Sequence, residues 1–397
     1  MNGKADGSEV NLLIEDPRQR VGRRGFLRVA ALLGAAGATG AVTGGVAGYL
    51  AGRANQTEDQ QDPRAAGVAG PRRREQTLNI YNWSDYIDEK TVPLFQAWTN
   101  IRVNYDVYSS NEDLLAKLRA GPTQYDIIVP TNQFIPTYRR LGLLQPLRQE
   151  LIPNLANLDK TFVETDYDPG NKYTIPWQWG TTGLGYNTRR VPGGKLDSWT
   201  ALYEPNPSLG GRLSILREMT DLIGCTLIYL GKDPNSTKDA DLQAVVDTFK
   251  GLRRQLKQLR FSSDTYIDEL ATGEIWLAQG WSGDVFQAQG DNKDIAYVIP
   301  KEGSLQWADV MCVPKDAPHP GNAARFMNYV LQPRVAARIS KYVSYGTPVS
   351  LAKALLPPKQ LDDPGIYPPS SIKLSFLTLT DERIGRLQQV YNEIVRA

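Results

Sequence analysis

Leu78–Asp88 reads LNIYNWSDYID, and the architecture of the chain follows from how it is taken. Leu78 and Ile80 alternate as a short buried strand that runs off its end into Trp83, Ser84, Asp85 and Tyr86. A strand that stops in Trp and Tyr where a helix begins sets flat, partly polar rings at the carboxyl edge of a sheet. That edge is where α/β folds hold ligands. The competing reading makes Trp83 and Tyr86 ordinary packing residues.

Working outward, strands and helices alternate. Ile101, Val103, Tyr105 and Val107 predict a half-buried strand, and Ser110–Asp113 a capping box opening a helix over Leu114–Arg119. Asp126–Val129 before Pro130 predicts a strand buried on both faces. Leu242, Val245, Val246, Phe249, Leu252, Leu256 and Leu259 recur at helical spacing. Ile295–Ile299 predicts another buried strand, and Ile384, Leu387, Tyr391 and Ile394 one face of a C-terminal helix. Strands separated by helical patterns imply a parallel or mixed sheet with helices on both faces, and 397 residues imply two such lobes.

Ahead of this body stands a different kind of sequence. Residues 1–53 carry seven Lys/Arg and four Asp/Glu, a net +3, whereas the whole chain is +2 and the remainder therefore −1. Arg18, Arg20, Arg23, Arg24 and Arg28 precede Val29–Leu50, 22 uncharged residues rich in Ala and Gly. Arg23-Arg24-Gly25-Phe26-Leu27 resembles the twin-arginine export signal, whose pathway carries folded proteins across the bacterial inner membrane. Twenty-two helical residues span about 33 Å, so an uncleaved anchor stands beside a cleaved signal as an alternative. No Cys follows the apolar run, which excludes lipoprotein anchoring. Residues 54–76 lack apolar periodicity and read as a flexible linker.

The chemistry is bounded by what is scarce. The charge balance carries no nucleic-acid footprint. One histidine, His319, and two cysteines, Cys225 and Cys312, give no basis for a zinc or copper site. No Gly-rich phosphate loop follows a strand, so no nucleotide or other cofactor is expected. What recurs is an aromatic beside an acid: Trp83 with Asp85 and Tyr86, Trp281 with Asp284, Trp307 with Asp309. On a strand Trp307 and Asp309 face one side, and Glu218 and Asp221 share a face if a helix starts there. Carboxylates hold an ammonium by charge-assisted hydrogen bonds, and an indole face adds about 0.5–2 kcal/mol by cation–π attraction. Taken alone, W-A-D is more often a packed Trp with a solvated Asp, and Glu218 with Asp221 more often a solvated helix start favoured by the dipole. As carboxylate pairs they would also suit an exported hydrolase.

At this point the residues resemble a family. From about Leu78 to the C-terminus, roughly 320 residues, the chain is similar to the periplasmic spermidine/putrescine-binding proteins of bacterial ABC polyamine importers. The collinear segments are YNWSDYI (81–87), YDIIVPTNQF (125–134), IPWQWGTTGLGYN (175–187), WTALYEP (199–205), IWLAQGWSGD (275–284), VIPKEGSLQWADVMCVP (298–314), YVSYGTPVSLAK (342–353) and IYP (366–368). The resemblance implies a type II, Venus-flytrap α/β fold of two lobes, each a mixed sheet flanked by helices. It places 77–182 with 310–348 in lobe 1 and 183–309 with 349–397 in lobe 2.

It further implies a ligand site in which Trp83, Tyr86 and Thr131 form one wall and Trp281, Trp307 and Tyr345 complete an aromatic box. Asp309 would hold one charged nitrogen, and Glu218 with Asp221 the far one. No catalysis, metal or cofactor is implied. The expected partners are a polyamine and an ABC permease, with membrane contact only through the export signal or the permease, and the protein a periplasmic monomer. Three positions depart from the family pattern. Glu218 and Asp221 stand in exchanged order, Gln133 replaces an aromatic after the V-P turn, and a family Gln falls near Thr378. Other small solutes remain alternative ligands.

Overall fold

The computed structural model describes residues 76–396 apart from 257. The export signal and anchor readings at 1–53 and the linker reading up to residue 75 lie outside the described residues. Among the described residues no helix is long and apolar enough to cross a membrane.

Strand β1 (Thr77–Trp83) buries Leu78 and Ile80 almost completely, as their alternation predicts. It pairs in parallel with β2 (Arg102–Tyr108) and β3 (Ile127–Ile128). The crossover to β2 is the helix Thr91–Thr99, which stops at Asn100 in the left-handed region (φ 57°). β2 lies at the edge of the sheet, so its expected burial gives out: Val107 is 54% exposed. Ser110 caps the next helix by accepting from the Asp113 N–H at 3.1 Å. That helix starts at Asn111, earlier than the apolar spacing indicated.

The strand that organises the sheet is β4 (Thr174–Asn187), fourteen buried residues. Downstream come β5 (Leu213–Leu216), β6 (Arg260–Ser262), β7 (Leu277–Trp281), β8 (Ile295–Val298) and β9 (Ser304–Cys312). β9 runs antiparallel to the first half of β4, from Thr174 opposite Cys312 to Thr181 opposite Gln306. The second half of β4 pairs with β7 and β8 instead. The order is β2-β1-β3-β9-β4-β7-β5-β6, with β8 on β4 and a short β10 (Leu374–Ser375) on β9. β4 is thus shared by two half-sheets, each mixed in direction.

β8 sits off this main path, which explains why Ala296, Tyr297 and Val298 of the expected buried strand are only half-buried, while Ile295 and Ile299 at its two ends are buried. The helix Asp239–Gln255 buries Leu242, Val245, Val246, Phe249 and Leu252 and ends before Leu256 and Leu259. Together with the helix Asp381–Arg396 it covers the helix Met219–Tyr229, and Leu387 and Ile394 point into that core. Each fully buried Leu, Ile or Phe stabilises the fold by about 1.5–3 kcal/mol relative to exposure. A second core gathers Leu78, Ile80, Phe95, Ile127, Met311 and Phe326. Val349, Ala352 and Leu356, which the sequence reading puts with lobe 2, are buried in this same cluster. Cys225 and Cys312 are both free and buried.

Candidate functional site

Polar side chains collect where strands end. Trp83 closes β1, Thr131 follows β3, Glu218 follows β5, and Trp281 closes β7. Asp85 takes a left-handed conformation (φ 51°), a turn that Asp tolerates, and so turns the chain toward Tyr86. Trp307 and Asp309 share one face of β9, as the W-A-D spacing predicts.

At one end lies Asp309, 5% exposed. Its Oδ2 accepts from the Tyr86 hydroxyl at 2.8 Å and its Oδ1 from the Thr131 hydroxyl at 2.8 Å. Burial pushes its carboxyl up to about 7, against the lowering effect of those two donors. Tyr345 stands edge-on to Tyr86, ring centres 5.3 Å apart at 90°, and 5.3 Å from Trp307. The Tyr345 hydroxyl donates to Asp284 at 2.9 Å, and Asp284 also accepts from Tyr266 at 2.9 Å.

At the other end are Glu218 and Asp221, at the N-cap and in the first turn of the helix Met219–Tyr229. The sequence condition for their sharing a face is met. Asp221 accepts from the Thr182 hydroxyl, from Trp281 Nε1 at 3.3 Å and from Thr220 at 3.3 Å. Burial nevertheless raises its carboxyl. Glu218 is driven up strongly by burial, then by the charges of Glu112 and Asp221. Among the described residues no Lys or Arg forms an ion pair with Glu218, Asp221 or Asp309. Buried acids of this kind are ordinarily paired, so the arrangement is complementary to an added cation.

The two ends meet through Asn111, which the sequence reading did not single out, and through ring and amide contacts of residues that it did. Asn111 Nδ2 donates to Thr131 Oγ1 at 3.0 Å and to Glu218 Oε1 at 3.3 Å. Trp83 stands edge-on to Trp281 with ring centres 6.2 Å apart. Gln133, in place of an expected aromatic, donates to Thr220 at 3.2 Å, and Ser84 reaches Asp264 at 3.5 Å. All nine residues singled out by sequence, Trp83, Tyr86, Thr131, Glu218, Asp221, Trp281, Trp307, Asp309 and Tyr345, therefore fall in one connected cluster. Asp284 was visible as the acid of W-S-G-D, whereas Asn111, Thr182 and Tyr266 carried no signal beyond ordinary helix and strand positions. Thr378 is exposed and bonds Asn235.

Two half-sheets sharing β4, with acids and rings gathered at strand ends between them, define a two-lobed α/β solute-binding protein of the Venus-flytrap type. The chain belongs to the bacterial extracellular solute-binding protein family, whose model matches residues 90–367. It is 38% identical over 335 residues to the putrescine-binding periplasmic protein PotF of Escherichia coli (strain K12), covering 79% of this chain and 90% of that one. To the spermidine/putrescine-binding periplasmic protein of the same strain it is 31% identical over 293 residues, 74% of this chain and 83% of the other. The structure matches the spermidine/putrescine ABC transporter substrate-binding protein PotD of Streptococcus pneumoniae with a TM-score of 0.70 at 30% identity, over 81% of this chain and 99% of that one.

Proposed function

We propose that this protein captures a linear polyamine of the putrescine/spermidine class in the periplasm and delivers it to an ABC transporter permease. The observation that carries the reading is the set of three buried acids, Glu218, Asp221 and Asp309, with hydroxyl, amide and indole partners but no Lys or Arg ion pair among the described residues. One ammonium binds at Asp309 and Tyr86, the other at Glu218 and Asp221. The methylenes between them lie against Trp83, Trp281, Trp307 and Tyr345. An anionic solute would need Arg or Lys at these positions.

Each ammonium supplies the charge that burial withholds, so the acids ionise as the ligand enters. Micromolar affinity requires about 8 kcal/mol net, within reach of charge-assisted hydrogen bonds and several ring contacts after ordering costs. The lobes are 77–182 with 310–348 and 183–309 with 349–397, except that Val349, Ala352 and Leu356 go to lobe 1, in whose core they are buried; closure of the two presents a joint surface to the permease. Export by the twin-arginine route, a monomeric state and the absence of catalysis complete the reading.

Calorimetric titration with putrescine, cadaverine, spermidine and spermine tests it. Saturable heat with at least one of them is expected. Silence with all four, together with turnover of a glycoside or ester, would replace it with the hydrolase reading.

A further inference from the structure

Gln178, Gly180 and Thr182 are alternate residues of β4 and share one face of that strand. Thr182 sets its hydroxyl on Asp221. A Cβ at Gly180 would stand 2.9 Å from both Trp307 and Tyr345, so this face carries the aromatic wall. Gln178 lies opposite Asp309 in the β4–β9 ladder, and Asp309 is bridged on its other side to Thr131. Thr131, in the segment after β3, Asp309 on β9 and Gln178 on β4 form a row, their side chains on one face. The opposite face of the ladder is already filled, Trp179 and Ala308 packing on Phe162.

Gln178 is 2% exposed, and its Oε1 has no hydrogen-bond partner. A buried carbonyl left in that condition is unfavourable. The nearby hydroxyls cannot serve it, because Tyr86 and Thr131 both donate to Asp309. A carboxylate and an amide oxygen side by side are two acceptors facing one place. A primary ammonium has three N–H groups and satisfies both at once.

We propose that Gln178 is a specificity-determining residue, its Oε1 accepting an N–H from the same primary ammonium that Asp309 holds. The inference rests on the polyamine reading and adds to it a preference for a primary amine terminus at the Asp309 end, since N-alkylation removes the N–H that Gln178 would take.

The test is calorimetric titration of putrescine into the wild type, Gln178→Met and Gln178→Glu, with the unfolding midpoint of each ligand-free protein. Loss of a hydrogen bond to a charged group predicts at least tenfold weaker binding in Gln178→Met. Its ligand-free midpoint should be equal or higher, because an unpartnered carbonyl has been removed. Gln178→Glu retains an acceptor oxygen and should bind within about threefold of wild type. Unchanged affinity in Gln178→Met overturns the inference and leaves the polyamine reading standing. Equal losses in both variants with a lowered midpoint also overturn it, since they mark a packing role. A wild type silent toward putrescine and the other polyamines removes both readings together.

Discussion

The Asn111 side chain holds Glu218 across 107 residues of sequence, Nδ2 to Oε1 at 3.3 Å, while the same amide group donates to Thr131 and its oxygen accepts from the Thr131 N–H at 3.0 Å. One amide thus fixes the acid at one end of the site and the hydroxyl that serves Asp309 at the other. Asn111→Ala should weaken putrescine binding by about tenfold, the worth of a hydrogen bond to a charged group. Because Glu218 acts through the same contact, a double-mutant cycle of Asn111→Ala with Glu218→Gln should show coupling of about 0.5–3 kcal/mol. Additive losses in that cycle would mean that Asn111 acts only on Thr131.

Asp309 gives opposite signs for binding and stability. Its carboxyl is raised to about 7 by burial, so between the ordinary carboxylate range and pH 7 the folded chain binds the proton more tightly than the unfolded chain does. The stability this confers is present at low pH and is lost as pH rises through about 7, a loss of roughly 4 kcal/mol for a shift of this size. The raised carboxyls of Glu218 and Asp221 act in the same direction. Denaturant titrations of the ligand-free protein should therefore show stability falling from pH 5 to pH 8. Putrescine affinity should rise over the same interval, with proton release visible as a dependence of binding heat on buffer ionisation. Asp309→Asn should flatten much of the stability profile while weakening putrescine at least tenfold. A flat stability profile in the wild type would contradict the burial argument.

The legible parts of this molecule were those where one residue type has one physical use. Leu78 and Ile80 alternate because β1 is covered, and Trp307 and Asp309 are two apart because strand neighbours two apart share a face. Ser110 was readable because a hydroxyl three residues before an N–H closes a cap. Val107 and β8 were misjudged since period-2 patterns do not say whether a strand is central or at an edge. Asn111 and Gln178 were missed for another reason. Their roles depend on which residues stand opposite them after folding, Glu218 and Asp309, and sequence spacing holds no information on that.

Arg383 supplies a contrast away from the acids. It is 3% exposed, with Nη1 donating to Asn235 Oδ1 and to Thr378 O and Nη2 donating to Pro234 O at 2.6 Å. Burial brings its guanidinium down to about 10, yet these oxygens keep it in place at the start of the C-terminal helix. Arg383→Met takes the guanidinium donor from the buried Pro234 carbonyl and from the Thr378 carbonyl and should cost about 1–3 kcal/mol of stability. Putrescine affinity, measured well below the unfolding temperature, should be unchanged. A parallel loss of affinity would show that the C-terminal helix couples to the site.

Gly283 faces the Tyr345 ring so closely that an added Cβ would lie 2.4 Å from Cδ2 and 2.5 Å from Cε2. The contact is a ring face, not the end of a flexible chain, and the ring is held at its far side by the hydroxyl bond to Asp284 and at its edge by Tyr86 and Trp307. Gly283→Ala must therefore displace either the helix Ser282–Asp291 or the ring. Overpacking of a filled site costs about 1–3 kcal/mol, and a displaced Tyr345 also withdraws one wall from the methylene chain. The variant should lose stability in that range and bind putrescine about tenfold more weakly, whereas Tyr345→Leu in the Gly283→Ala background should recover the stability without recovering the affinity. If Gly283→Ala unfolds and binds as the wild type does, the Tyr345 ring is free to move, and the rigid aromatic wall is not part of how the ligand is held.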